Sequence, residues 1–137
     1  MPVPVACRAA KGHTAADLRA RLKHPAGVPG SRVYDVAIAL SFVRRAARPL
    51  LTYGLTLGAA EILFLPGEPM LAFQRFAQDA APARFVAVAG YCDCGPGYIC
   101  TDAAFAEGGY EPTAANVGLG SEALLKKAIR ELLAEGR

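Results

Sequence analysis

Chemistry in this chain could first sit at a glutamate on a strand-to-helix junction. The run 60–65 stops at Pro66-Gly67 and a helical pattern begins at Pro69, which leaves Glu68 between a strand end and a helix start. Open α/β sheets collect ligands beyond the carboxyl ends of their strands, and a helix N-terminus attracts negative charge. A plain capping carboxylate would suit the same position. One strand later comes a loop of odd composition, Tyr91-Cys92-Asp93-Cys94-Gly95-Pro96-Gly97-Tyr98, and after a double glycine comes Tyr110. Glu68, Asp93, Tyr98 and Tyr110 offer oxygen to a hard or borderline cation. Two oxygen ligands do not make a zinc site, which takes three or four protein ligands with histidine among them.

Other candidate groups read as structural. Cys92, Cys94 and Cys100 crowd one loop and Cys7 is remote. The tight pair is Cys-x-Cys, whereas zinc sites pair cysteines with two to four residues between them. Small buried thiols fit better than a metal cluster or a redox pair. His13 and His24 lack the i, i+4 spacing that would aim two imidazoles at one metal. No Gly-x-Ser-x-Gly elbow occurs. In Gly95-Pro96-Gly97 the proline removes an amide donor, which favours a tight turn over a phosphate cradle.

The elements that must position these residues follow from periodicity and breakers. Thr14 caps a short helix to about 23, with Asp17 three residues on. Pro25, Gly27, Pro29 and Gly30 interrupt the chain, and Ser31 opens a second helix over about 32–48, with Val33, Val36, Leu40, Val43 and Ala47 as its stripe. Segments 50–57 and 60–65 read as strands around a turn at Gly58-Ala59, the second apolar enough to be covered on both faces. A helix over about 69–80 turns Phe73, Phe76, Ala77 and Ala80 inward, and 84–90 is a third strand. Strand, helix and strand make a βαβ unit with parallel strands, so Glu68 and the 91–98 loop emerge at one sheet edge. A short helix near 102–107, an irregular stretch to Gly120 and a final helix over 121–135, capped by Ser121 and ended by Gly136, complete the reading. The expected fold is α/β, a small mixed sheet of a hairpin plus a parallel βαβ unit with flanking helices. Residues 1–31 are read as an N-terminal extension with a short helix, and 32–137 as the α/β domain.

At 137 residues, 53% of them hydrophobic, the chain can build one core. Its apolar balance also suits a face covered by further polypeptide, or self-association. A net charge of +3 is too small to argue for nucleic acid. Arg44, Arg45 and Arg48 cluster where a helix C-terminus already favours cations. No run is long enough to span a bilayer. The N-terminus has no signal-peptide pattern, so the chain as given is expected in the cytoplasm.

Three motifs in order carry a family likeness. Leu65-Pro66-Gly67-Glu68, Gly97-Tyr98-Ile99-Cys100-Thr101 and Glu107-Gly108-Gly109-Tyr110-Glu111 resemble the neutral/alkaline ceramidase family, with a looser likeness over about 32–133. The resemblance implies hydrolysis of an N-acyl sphingosine amide to a fatty acid and a sphingoid base at a zinc ion. It implies Glu68 and Tyr98 as two zinc ligands, two earlier histidines as the others, and Tyr110 as a second, catalytic tyrosine near the metal. A zinc-bound water would attack the amide carbonyl. The motifs that carry both histidines and an upstream serine are missing here, and His13 and His24 match neither. The chain corresponds to the final third of the family's catalytic domain, part of a larger catalytic domain. The expectation is a truncated or split piece of a ceramidase-like amidohydrolase, binding zinc weakly and inactive alone. A partner chain or N-terminal half would supply the histidines. The alternative is a non-catalytic α/β binding or interaction module, in which Glu68→Ala and Tyr98→Phe leave the function intact.

Overall fold

The computed structural model describes residues 2–7, 9, 14–24, 33–45, 47–93 and 95–135. His13, the breakers at 25–30, the Ser31 cap, Cys94 and Gly136 lie outside them. The elements are β1 (Val3–Val5), α1 (Ala15–Lys23), α2 (Val33–Arg45), β2 (Leu50–Leu57), β3 (Ala60–Pro66), β4 (Glu68–Pro69), α3 (Leu71–Ala80), β5 (Phe85–Cys92), β6 (Tyr98–Ile99), α4 (Asp102–Glu107), α5 (Tyr110–Ala114) and α6 (Ser121–Glu135).

A four-stranded mixed sheet of order β1-β2-β3-β5 organises the fold, with β4 and β6 as a separate parallel pair. The β2–β3 hairpin is antiparallel, closed at Gly58 with φ +60, a left-handed conformation that costs glycine little. β3 and β5 run parallel, joined through α3, so the βαβ unit is present. β1 adds antiparallel to β2, and Thr52 Oγ1 donates to the Val3 carbonyl at 2.8 Å. Residues 3–5, assigned by the sequence pattern to an extension, therefore belong to the sheet. Pro2 and Pro4 had hidden this strand, since proline is tolerated only at an edge.

Alternation sorts the sheet into two unlike faces. Thr52, Glu61, Leu63, Leu65 and Val86 are buried beneath α6, which crosses β1 to β3, and α3, which lies on β5. Phe73, Ala77, Leu125, Ile129, Leu132 and Leu133 fill this layer with them. Glu61, the one acid in the 60–65 run, is only 2% exposed. Arg84 Nη1 reaches its carboxylate at 3.3 Å, Thr56 Oγ1 donates to it at 3.1 Å, and Arg84 also donates to the Leu133 carbonyl at the end of α6. A buried carboxylate needs such partners. The opposite face holds Tyr53, Leu55, Leu57 and Phe85, all exposed, with Ile62, Phe64, Ala87 and Ala89 half-exposed between them. β3 was expected to be covered on both faces; among the described residues it is covered on one.

Several boundaries and faces differ from the sequence pattern. α2 ends at Arg45, leaving Ala47 in a turn, and it buries Val36, Ala39 and Phe42. Val36, Leu40 and Val43 of the expected stripe pack at the seam with α1, joined by Ala39, while Phe42 turns into the main core. α3 begins at Leu71, and Ala80 is exposed. Tyr110–Ala114, expected to be irregular, forms a helical turn. Ser121 is the first helical residue and is buried, near enough to Cys7 to lower its thiol's pKa, instead of standing outside the helix as a cap.

Candidate functional site

Two crossing loops build the rim at the end of the sheet. β3 stops at Pro66, and Gly67 turns with φ +63. A Cβ on Gly67 would press on the Gly97 carbonyl and Pro96, and one on Gly95 would overlap the Gly67 backbone. Glycine at both positions therefore lets the loops touch main chain to main chain. The contact is hydrogen-bonded: Glu68 N donates to Gly97 O at 2.8 Å and Met70 N to Ile99 O at 3.2 Å. Asn116, 7% exposed, donates from Nδ2 to Pro96 O at 2.8 Å and pins the second loop from behind.

The crossing forces the two candidate ligands together. β4 and β6 pair parallel with Glu68 opposite Tyr98 and Pro69 opposite Ile99. Register partners on adjacent strands lie about 5 Å apart and point to the same side. Tyr110, at the start of α5, sets its ring edge-on to Tyr98, with centroids 5.8 Å apart and planes at 82°, an arrangement aromatic pairs prefer. Glu68, Tyr98 and Tyr110 thus share one rim. Glu68 does not cap α3: the N-cap is Met70, without a side-chain bond to the helix.

Asp93 does not join them. Its carboxylate accepts from Leu51 N at 3.0 Å and pairs with Arg45 at 3.5 Å, which ties the loop to the start of β2. A left-handed backbone at Asp93, φ +52, turns the side chain that way. Tyr91 comes in its place. It too is left-handed, φ +61, an outlier for a bulky residue, and its phenol lies close enough to the Glu68 carboxylate for that group to raise its pKa. Nothing in residue type announces a positive φ at tyrosine, so the loop sequence does not single out Tyr91. Glu111, beside Tyr98, is likewise not singled out.

The electrostatics follow from these contacts. Donation to Glu68 is the chief reason the Tyr91 phenol lies above its ordinary value, with lost hydration and the Glu68 charge adding to it. For Tyr98 partial loss of water comes first, then the charge of Glu68, then Tyr110 and Glu111. Burial, with Glu111 behind it, raises the Cys100 thiol. The rim is therefore rich in oxygen donors, with two carboxylates, Glu68 and Glu111, that have no ion-pair partner among the described residues.

Tested against zinc, the donors match in kind and fall short in number. Glu68 and Tyr98 supply two adjacent oxygens, with Tyr91 beside them. Among the described residues no three His, Cys, Asp or Glu side chains converge on one point. His24 sits exposed at the C-cap of α1. Cys7, Cys92 and Cys100 are free thiols, Cys7 and Cys100 buried. No family model matches the chain, and no curated protein or solved structure matches it. No helix among the described residues is long and apolar enough to cross a membrane.

Proposed function

We propose that the chain carries the glutamate-tyrosine half of a zinc centre in a ceramidase-like amidohydrolase. The observation that carries this reading is the register pairing of Glu68 with Tyr98 on β4 and β6. It sets a carboxylate and a phenol side by side, with Tyr110 edge-on to the phenol. Zinc held there would supply Lewis acidity towards an amide carbonyl and acidify a coordinated water. Glu68 and Tyr98 would hold the ion, Tyr91, beside the Glu68 carboxylate, would orient it by donating a hydrogen bond, and Tyr110 would present a hydroxyl at the mouth of the site.

The remaining ligands come, in this reading, from histidine-bearing polypeptide. The uncovered apolar face of β2, β3 and β5 is where such polypeptide would pack. Its β5 row, Phe85, Ala87 and Ala89, runs directly into Tyr91 and the rim. A face of this kind marks an interaction surface more often than free solvent.

Co-expression with the histidine-bearing N-terminal half of a neutral ceramidase tests the proposal. The expected result is a stable complex that retains stoichiometric zinc and releases fatty acid from an N-acyl sphingosine. Glu68→Gln or Tyr98→Phe should remove the zinc while the complex persists, and the chain alone should bind zinc weakly. Tight stoichiometric zinc on the chain alone, or a complex whose zinc ignores both substitutions, would overturn the assignment.

A further inference from the structure

The arginines at the end of α2 have no part in the Glu68 rim. They border a shallow, open groove of about 450 Å3. Leu22 of α1 and Leu40 of α2 form its apolar side, with Ala37 and Ser41 beside them. Residues 37, 41 and 44 lie on one face of the helix. The small side chains at 37 and 41 leave that face open, whereas longer ones would close it. Arg44, Arg45 and Arg48 line the other end. Arg45 is engaged by Asp93, and among the described residues Arg44 and Arg48 form no ion pair. The negative end of α2 accounts for cations being tolerated there. Leu22 and Leu40 pack on the Leu18, Val36 and Ala39 seam, and the part of each left half-exposed runs up to those cations as an apolar wall.

We propose that this groove binds a single-chain anionic amphiphile from solution. The guanidinium groups of Arg44 and Arg48 take the anionic headgroup, which their planar donor geometry matches. The alkyl chain lies along Leu22 and Leu40, over Ala37 and Ser41. Charge complementarity selects the head and the leucines select the tail. Among the described residues no aromatic side chain lines the groove, which gives nucleobases no platform to stack on. The site is independent of the Glu68–Tyr98 pair.

The test uses the full chain and three probes: octyl phosphate, inorganic phosphate and octyl glucoside, each titrated by calorimetry. Octyl phosphate should bind saturably, one per chain. Inorganic phosphate should bind roughly tenfold more weakly or worse, and octyl glucoside should not bind. Arg44→Glu combined with Arg48→Glu should weaken octyl phosphate by roughly tenfold or more. Ser41→Glu should do the same while leaving both arginines in place. All three positions are exposed, so the melting temperature should hold in each variant. Equal binding of octyl glucoside would reduce the groove to an apolar patch, and equal binding of inorganic phosphate would make it a simple anion site. Binding to vesicles containing phosphatidic acid but not to dissolved octyl phosphate would assign it to a membrane surface. Any of these results, or variants that change nothing, overturns the proposal.

Discussion

At the rim, the Tyr91 and Tyr98 phenols share the Glu68 carboxylate, and both keep their protons beyond the ordinary value of 10.0. A raised folded-state pKa means that these groups contribute stability in full below the unfolded value. That contribution is lost as pH rises through the raised values. Alkaline titration followed by phenolate absorbance should show two late-ionising tyrosines, and Glu68→Gln should bring Tyr91 back towards 10. A Tyr91 that does not move would mean the bond to Glu68 is not made in solution. Cys7 follows the same sign, its thiol raised to about 11 by burial against a smaller opposing bond from Ser121. Thiol reagents should therefore leave Cys7 unmodified near pH 8 until urea unfolds the chain; rapid labelling of the native protein would contradict its burial. Deeper in the core, Arg84→Ala leaves the Glu61 carboxylate buried without its cation. Because Arg84 itself is partly exposed, the expected cost in urea unfolding is about 2–3 kcal/mol. Adding Glu61→Leu should recover most of it.

Among the elements, the crossing of the 66–68 and 95–97 loops is where the fold constrains the site most tightly. A methyl group at Gly95 collides with the Gly67 main chain, which cannot swing aside as a flexible side chain could. Gly95→Ala should cost about 3 kcal/mol or more and separate Glu68 from Tyr98. Gly58→Ala provides the control: the backbone is also left-handed there, φ +60, but nothing lies within 4 Å of the added atom. Its cost should be about 1 kcal/mol, from backbone conformation alone. Equal costs at the two positions would show that the loops do not touch as described. Several elements were legible in advance because their signals are local. Thr14 accepts from Asp17 N at 3.2 Å as its cap spacing implies, and the spans 50–57, 102–107 and 121–135 match the expected strand and helices. The 110–114 turn leaves no such signal, being short, interrupted by Pro112 and without an amphipathic stripe.

For the molecule as a whole, the unlike faces of the sheet are the governing asymmetry. One is sealed by α3 and α6, and the other leaves Tyr53, Leu55, Leu57 and Phe85 in contact with solvent. Along 53–57 the outer edge of β2 also extends past β1, which pairs only with 50–52. Apolar surface beside an edge that is unpaired among the described residues favours association. Leu55→Lys with Phe85→Lys should shift the chain towards monomer in size-exclusion chromatography, with stability changing by only about 0.5 kcal/mol per position. A large loss of stability would mean that these side chains are packed in the isolated chain.

The order of residues alone determined that Glu68 and Tyr98 emerge at one edge. A strand, a helix and a second strand in succession leave parallel strands ending together, and that consequence needs no knowledge of distant contacts. Tertiary structure decided which other groups face the same volume. The sign of φ at Tyr91 and Asp93 sends one side chain to Glu68 and the other to Arg45. It depends on how the loop is held between Gly67, Leu51 and Asn116, partners far away in sequence. The pairing of β1 and the bareness of one sheet face are of the same kind, since both follow from which surfaces meet across the fold and leave no trace in local periodicity.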